Sequence, residues 1–249
     1  MEREFSIVSM GTERETSSEG YMCVSKYDKI RNIRLLAPES HKCKNIGTEG
    51  DHLIIKGDVP INILTISRFQ LIAALALPKW IPFNSKVSVI GGGPIGIAMC
   101  FELIRRNYKE PKLWTRRPSL LSNFRLPVDF SLGWDSLADV YIDCTGQREV
   151  IKKIIANAQP HSIIVLAGTP RDKLEVEILD IHRKNITFSG GHELTGWNSI
   201  DRQKTIDNII NWHVDKKYNL DTLIKRHIGT SNKDHILNHF YNEPFHIMF

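Results

Sequence analysis

The chain has 249 residues, 41% of them hydrophobic and 24% charged, with a formal net charge of +5. That is enough chain for one large domain or two small ones, and the composition excludes a disordered or fibrous protein. The positive balance is spread through mixed-sign stretches with no basic run interleaved with aromatics, which argues against a nucleic-acid partner; no run of about 18 apolar residues exists to span a membrane.

The N-terminus, MEREFSIV, lacks the apolar run of a signal peptide, and Cys23, Cys43, Cys100 and Cys144 form no CxxC pair or regular framework. Both features point to a reducing, cytoplasmic setting. The first 76 or so residues hold short strand-like runs, FSIVS and DHLIIKG, between polar loops, and close on the helical ISRFQLIAALAL. From Lys86 the pattern changes. KVSVI reads as a buried strand, followed by glycines and the helix-like IGIAMCFELIRRN. Next come KLWT, a short VDF, DVYIDC, the helical REVIKKIIANA, SIIVLAG and NITFSG. Strands alternating with helices predict βαβ units and a parallel sheet, with Gly, Pro and Thr in the crossover turns. Beyond Asn198, IDRQKTIDNIINWHV places Ile206, Ile209, Ile210 and His213 on one helical face. A helix, NKDHILNHFY, and a strand-like HIMF finish the chain.

VSVIGGGPIG carries Gly91, Gly93 and Gly96 at G-x-G-x-x-G spacing. Alone the pattern is weak, but here it follows an apolar strand and opens a helix, the context that dinucleotide binding requires. Gly91 permits the tight turn, Gly93 lets backbone approach a pyrophosphate, and Gly96 lets helix and strand pack closely. Pro94 and Ile95 lie between them at the helix start, where free N–H groups and a partial positive charge meet the phosphates.

With these motifs the chain resembles a medium-chain dehydrogenase/reductase of the zinc-type alcohol dehydrogenase kind, over nearly its whole length. VIGGGPIGIAMC resembles that family's nucleotide turn, DVYIDCTG its fourth Rossmann strand and SIIVLAGTP its fifth. LDIHRKNITFSGGHE resembles the sixth strand with its lead-in. The resemblance implies a Rossmann doubly wound parallel sheet over residues 79–217 and a smaller, truncated GroES-like β domain over 1–78, joined by 218–249. It also implies a homodimer, paired through the strand NITFSGG.

Zinc-dependent members carry a segment like I-C-G-T-D, whose cysteine binds the catalytic metal. Here Met10 occupies the cysteine's place, with Gly11, Thr12 and Glu13 in register. A neutral thioether is a poor ligand for catalytic zinc. No G-H-E segment follows between Glu15 and Leu53, and the four-cysteine structural lobe is absent. His41, Cys43 and His52 could still meet around a metal, but their spacing matches no recognised metal-site pattern. The expectation is therefore an enzyme without the metal.

The oxyanion of a zinc-free hydride transfer needs a hydroxyl, phenol, imidazole or backbone N–H. Thr12, in the place of the family's relay hydroxyl, either serves that role or caps a turn; Tyr21 and His52 are further candidates. Cys144, Thr145 and Gly146 end the fourth strand, and Ala167, Gly168 and Thr169 the fifth, where an open α/β sheet binds ribose and nicotinamide. Gly191 and His192 follow the sixth; His192 either approaches the nicotinamide or lies at a dimer edge. NAD-binding members place an acid at the end of the second strand to hold the ribose 2′-hydroxyl. This chain has Thr115 there, followed by Arg116 and Arg117, which suit the 2′-phosphate of NADP. The expected activity is hydride transfer between NADPH and a small carbonyl, imine or activated alkene. The alternative is a catalytically degenerate dinucleotide-binding protein acting as sensor or scaffold.

Overall fold

The computed structural model describes residues 2–15, 19–20, 22–43, 51–116, 129–131, 137–170, 173–193, 198–229, 233–238 and 243–249. Of these, residues 12, 15, 129–131, 233 and 235 are described by backbone alone. The chain divides into two compact units, Met1–Arg68 with Trp197–Phe249, and Phe69–Gly196.

The second unit is the doubly wound one. Its strands are β5 (Val87–Ile90), β6 (Lys112–Trp114), β7 (Asp129–Ser131), β8 (Val140–Asp143), β9 (Ile163–Leu166) and β10 (Thr187–Gly190). They pair in the order β10-β9-β8-β5-β6-β7, every neighbouring pair parallel. VSVI and VYID are buried along their whole length, as parallel strands covered on both faces must be. Helix α3 (Pro94–Arg105) leaves β5, and α4 (Arg148–Asn157) leaves β8. α4 turns Ile151, Ile154 and Ile155 into a core with Ile90, Trp114, Tyr141, Ile164 and Ile186. Each such isoleucine contributes about 1.5–3 kcal/mol by burial. The stretch read as a lead-in to the sixth strand is itself helical over α5 (Ile178–Lys184), which ends on Asn185 in the left-handed region at φ +51°.

The first unit is built on a sheet ordered β11-β12-β1-β2-β3-β4. β1 (Arg3–Val8) lies inside it, antiparallel to β12 (Phe245–Met248) and to β2 (Cys23–Asp28), with Phe5, Ile7 and Val8 fully buried. β3 (Ile33–Ala37) and β4 (Leu53–Lys56) continue the antiparallel meander, while β11 (Ile224–His227) pairs parallel with β12. Two of these strands, β2 and β3, fall where the sequence reads as polar loop, and Met10–Glu15 forms a short helix, α1, where a turn was expected. Helix α2 (Ile61–Ala76) is apolar almost all round and carries the chain from the first unit into the second. The chain returns to the first unit ahead of α6 (Ser199–Lys216), which buries Ile206, Ile209, Ile210 and His213, the face its periodicity predicts. Asn198 caps α6, its side chain accepting the Asp201 N–H at 2.8 Å. Helix α7 (Lys233–Asn238) sets Ile236 and Leu237 against Val8 and Met248. Among the described residues no helix is long and apolar enough to cross a membrane.

Candidate functional site

β5 ends in Gly91 at φ +115°, a conformation that only glycine adopts without strain. A Cβ on Gly96 would overlap the Gly91 carbonyl oxygen, so α3 packs directly against the end of β5. Gly93 is different: nothing lies within 4 Å of where its Cβ would stand. It is the N-cap of α3, with no side-chain cap, and Pro94 follows at the first helical position. The N–H groups of Ile95 and Gly96 therefore begin a helix with no preceding carbonyl to bond, at the positive end of its dipole. A Cβ on Gly92 would overlap Oγ1 of Thr115, which is buried at the end of β6, and Arg116 after it is exposed.

The turn after β8 is shaped by a buried acid. Asp143 accepts the Thr145 N–H at 3.0 Å, the Thr145 hydroxyl at 2.6 Å and the Gly146 N–H at 3.0 Å. Burial pushes its carboxyl above the ordinary range, and those three donors pull it back in part. The Thr145 hydroxyl also accepts the Gln147 N–H at 3.1 Å. Gly146, at φ +62°, lies against Gly168 and Thr169, with no room for a Cβ on either glycine. Thr145 reaches Gly91 as well, its Cγ2 standing 2.9 Å from a Cβ built there. The Gly191 N–H bonds the Leu166 carbonyl at 2.9 Å at the end of β10, and His192 after it is exposed. The structure thus brings Gly91, Gly96, Cys144, Thr145, Gly146, Gly168 and Thr169 together at the carboxyl ends of β5, β8 and β9. This is the switch point of the sheet, where β5 neighbours both β6 and β8. Burial, with the Asp143 carboxylate and Cys100 beside it, holds the Cys144 thiol well above the usual range, which disfavours the thiolate.

Tyr21 and Arg117 lie outside the described residues, and Thr12 is placed by its backbone alone, within α1. His52 is half-buried just ahead of β4. Met10 packs against Val8, Ile236, Leu237 and Met248, so its thioether is committed to an apolar cluster. Among the described residues no three His, Cys, Asp or Glu side chains are grouped to hold a metal ion. A neutral thioether such as that of Met10 is a poor ligand for a catalytic zinc. The structure does bring together a pair that sequence spacing did not single out. Glu13 on α1 is buried, and its Oε2 lies 2.7 Å from Nε2 of buried His41. Its Oε1 accepts the Ser9 N–H at 2.7 Å. The partners are 28 residues apart with no pattern linking them, so only the folded sheet could reveal the pair.

No protein-family profile and no curated protein sequence matches the chain. Solved structures do. A protein of Sinorhizobium meliloti 1021, described as a zinc-binding dehydrogenase and bound to NADP, is 17% identical with a TM-score of 0.70, over 99% of this chain and 90% of that one. L-idonate 5-dehydrogenase of Escherichia coli is 11% identical with a TM-score of 0.72, over 99% and 89%. A short chain alcohol dehydrogenase of Escherichia coli complexed with NADH is 17% identical with a TM-score of 0.59; the match covers 79% of this chain and 64% of that one. At these identities the likeness establishes the fold. The chain shares with these structures a fold of two six-stranded sheets, one parallel and doubly wound, the other largely antiparallel.

Proposed function

We propose that the protein is a zinc-independent oxidoreductase that moves a hydride between NADPH and a small organic substrate bearing a carbonyl, imine or activated alkene. The observation that carries this reading is the set of turns gathered at the switch point around Gly93, whose Cβ position is open. Gly91, Gly93 and the N–H groups of Ile95 and Gly96 would hold the pyrophosphate. Thr115 and Arg116, with Arg117 next in sequence, would hold the 2′-phosphate. Cys144 to Gly146, Ala167 to Thr169, Gly191 and His192 would face ribose and nicotinamide. When bound, the reduced nicotinamide supplies the hydride, and the chain's task is to orient the substrate and handle the proton. Thr12, Tyr21 and His52 are candidates for contact with the substrate oxygen. The bound NADP of one structural neighbour and the NADH of another support the choice of cofactor class.

A second reading, dinucleotide binding without catalysis, draws on the packing of half-buried Met10 against an apolar cluster, where the family has a metal ligand. Two titrations and a turnover screen separate the two. Wild type should bind NADPH more tightly than NADH, and it should oxidise NADPH with at least one small carbonyl, imine or enone. A guanidinium–phosphate contact contributes about 1.5–3 kcal/mol. Arg116→Ala should therefore weaken NADPH binding about 10- to 100-fold and leave NADH binding unchanged. Equal wild-type affinity for the two nucleotides would refute the 2′-phosphate assignment. Tight binding with no turnover would favour the second reading.

A further inference from the structure

We propose that Gly92 is a positioning residue for the choice of nucleotide: by leaving room for Thr115 against its backbone, it fixes the point at which Arg116 leaves the parallel sheet. The inference rests on the reading above, in which Arg116 meets the 2′-phosphate. Gly92, Thr115 and Arg116 all lie within the second unit. Gly92 occupies an x position of G-x-G-x-x-G, where the motif itself asks for no glycine. Its φ lies outside the left-handed region, so the backbone there would accept an L side chain without strain. The obstacle to one is Thr115.

A Cβ built on Gly92 would overlap Thr115 Oγ1 and stand 2.6 Å from the Thr115 Cβ. Turning χ1 of Thr115 would carry Oγ1 aside, but its Cβ is placed by the backbone and would stay. An alanine at 92 therefore requires one of the two turns to move. The glycine turn is set by Gly96, packed on the Gly91 carbonyl. Trp114 is held as well. It is the register partner of Ile90, its carbonyl accepts the Gly91 N–H at 2.9 Å, and its side chain is buried in the core. The slack lies beyond Thr115, where Arg116 is exposed and past the end of β6. A guanidinium grips a phosphate through paired, directional hydrogen bonds, so a displaced Arg116 forfeits that geometry. A nucleotide without the 2′-phosphate never used the contact and loses little.

The opposite arrangement at Gly93 sharpens the contrast. Nothing lies within 4 Å of where its Cβ would stand, so its side of the turn is open while that of Gly92 is filled by the chain's own residue. One glycine leaves space for a ligand, and its neighbour leaves space for Thr115.

The test measures NADPH and NADH affinity by nucleotide fluorescence for wild type, Gly92→Ala, Thr115→Gly and the double variant. Wild type should prefer NADPH. Gly92→Ala should lose most of that preference, approaching the loss of about 10- to 100-fold expected of Arg116→Ala, with NADH affinity close to that of wild type. Thr115→Gly removes the atoms that an alanine at 92 would meet, and it should lower the preference too because the contact is gone. Adding Gly92→Ala to Thr115→Gly should then change neither affinity. A turn merely damaged by a side chain at 92 would instead lose both nucleotides, with or without Thr115→Gly. If wild type prefers NADPH and Gly92→Ala keeps that preference, or costs as much when Thr115→Gly is present, the proposal is overturned and the oxidoreductase reading stands. Should Gly92→Ala not fold, an undiminished NADPH preference in Thr115→Gly overturns it instead. Equal affinity of wild type for the two nucleotides, or binding of neither, removes the 2′-phosphate assignment and this proposal with it.

Discussion

Asp143 is fully buried, and its carboxylate is met by three donors from the turn that it shapes. Its pKa is raised because desolvation outweighs those bonds. The sign of the pH effect follows. Below the ordinary carboxylate value of about 3.9, folded and unfolded chains are both protonated at this site. Between that value and the raised folded value the folded chain holds its proton more firmly. The contribution of Asp143 to stability therefore falls as pH rises through the window, and the penalty is constant above it. Asp143→Asn cannot ionise, so its denaturation midpoint should decline less than that of wild type over the window. The amide's NH₂ would also face the Gly146 N–H, donor against donor, at a cost of about 1–3 kcal/mol. Urea titrations of both proteins at several pH values check both outcomes; parallel curves would show that Asp143 carries no such penalty. At this scale much of the glycine turn was legible. Glycine at 91, 93 and 96 and threonine at 115 are local constraints, written into neighbouring positions. The Glu13–His41 pair was not legible, because it joins a helix to a loop on the far side of two strands.

At the scale of elements, two devices depend on side chains that an apolar-polar pattern ignores. β4 is an edge strand of its sheet, and Gln203 on α6 pairs with it like a strand residue. Its Oε1 accepts the Ile54 N–H and its Nε2 donates to the Ile54 carbonyl, both at 2.8 Å. A bare edge invites association, and this amide occupies part of it. Gln203→Ala should cost about 1–2 kcal/mol, less than two fully buried bonds because water reaches Ile54. Thermal denaturation reads the loss, and an unchanged midpoint would mean the pairing contributes nothing. In the second unit Glu102 on α3 is buried beneath Arg105, Arg106 and Gln70, at 2.7–3.2 Å. Arg106 also donates to the Ala74 and Leu77 carbonyls at the end of α2, joining a charged pair to a helix cap. Removing one member of such a pair costs about 3–5 kcal/mol, so Glu102→Ala should be among the most destabilising substitutions in this unit. The strands missed by sequence reading, β2 and β3, have an explanation at this scale. Their burial runs in blocks rather than alternating, and charged residues (Lys26, Asp28, Arg34) interrupt the apolar runs.

For the whole molecule, the open question is assembly. β10 lies at one edge of the parallel sheet, with Thr187 exposed and Phe188 and Ser189 half-buried. A short β-branched and aromatic strand left bare is an association liability, and a two-fold pairing of β10 with its copy would remove it without leaving a further edge. We expect a homodimer. Light scattering at micromolar protein should give about twice the 28.5 kDa chain mass, and Gly190→Pro, which removes an N–H on the side of β10 facing away from β9, should halve it. A monomer mass for wild type would count against the pairing.

The alternation of strands and helices in the second unit, the parallel character of its sheet and the place of the glycine turn were determined by the sequence itself. Each follows from residues within a few positions of one another: continuous apolar strands, a helical period, glycines where backbone must turn or pack closely. Tertiary structure alone decided what those elements meet. The four-residue face of α6 was written in its periodicity, but that it covers β4 through Gln203 was not. Nor was the packing of Met10 against Val8, Ile236, Leu237 and Met248, or the seating of His41 on Glu13. Periodicity reports how much of an element is buried and on which side. The identity of the partner depends on contacts between positions far apart in the chain, which no local pattern encodes.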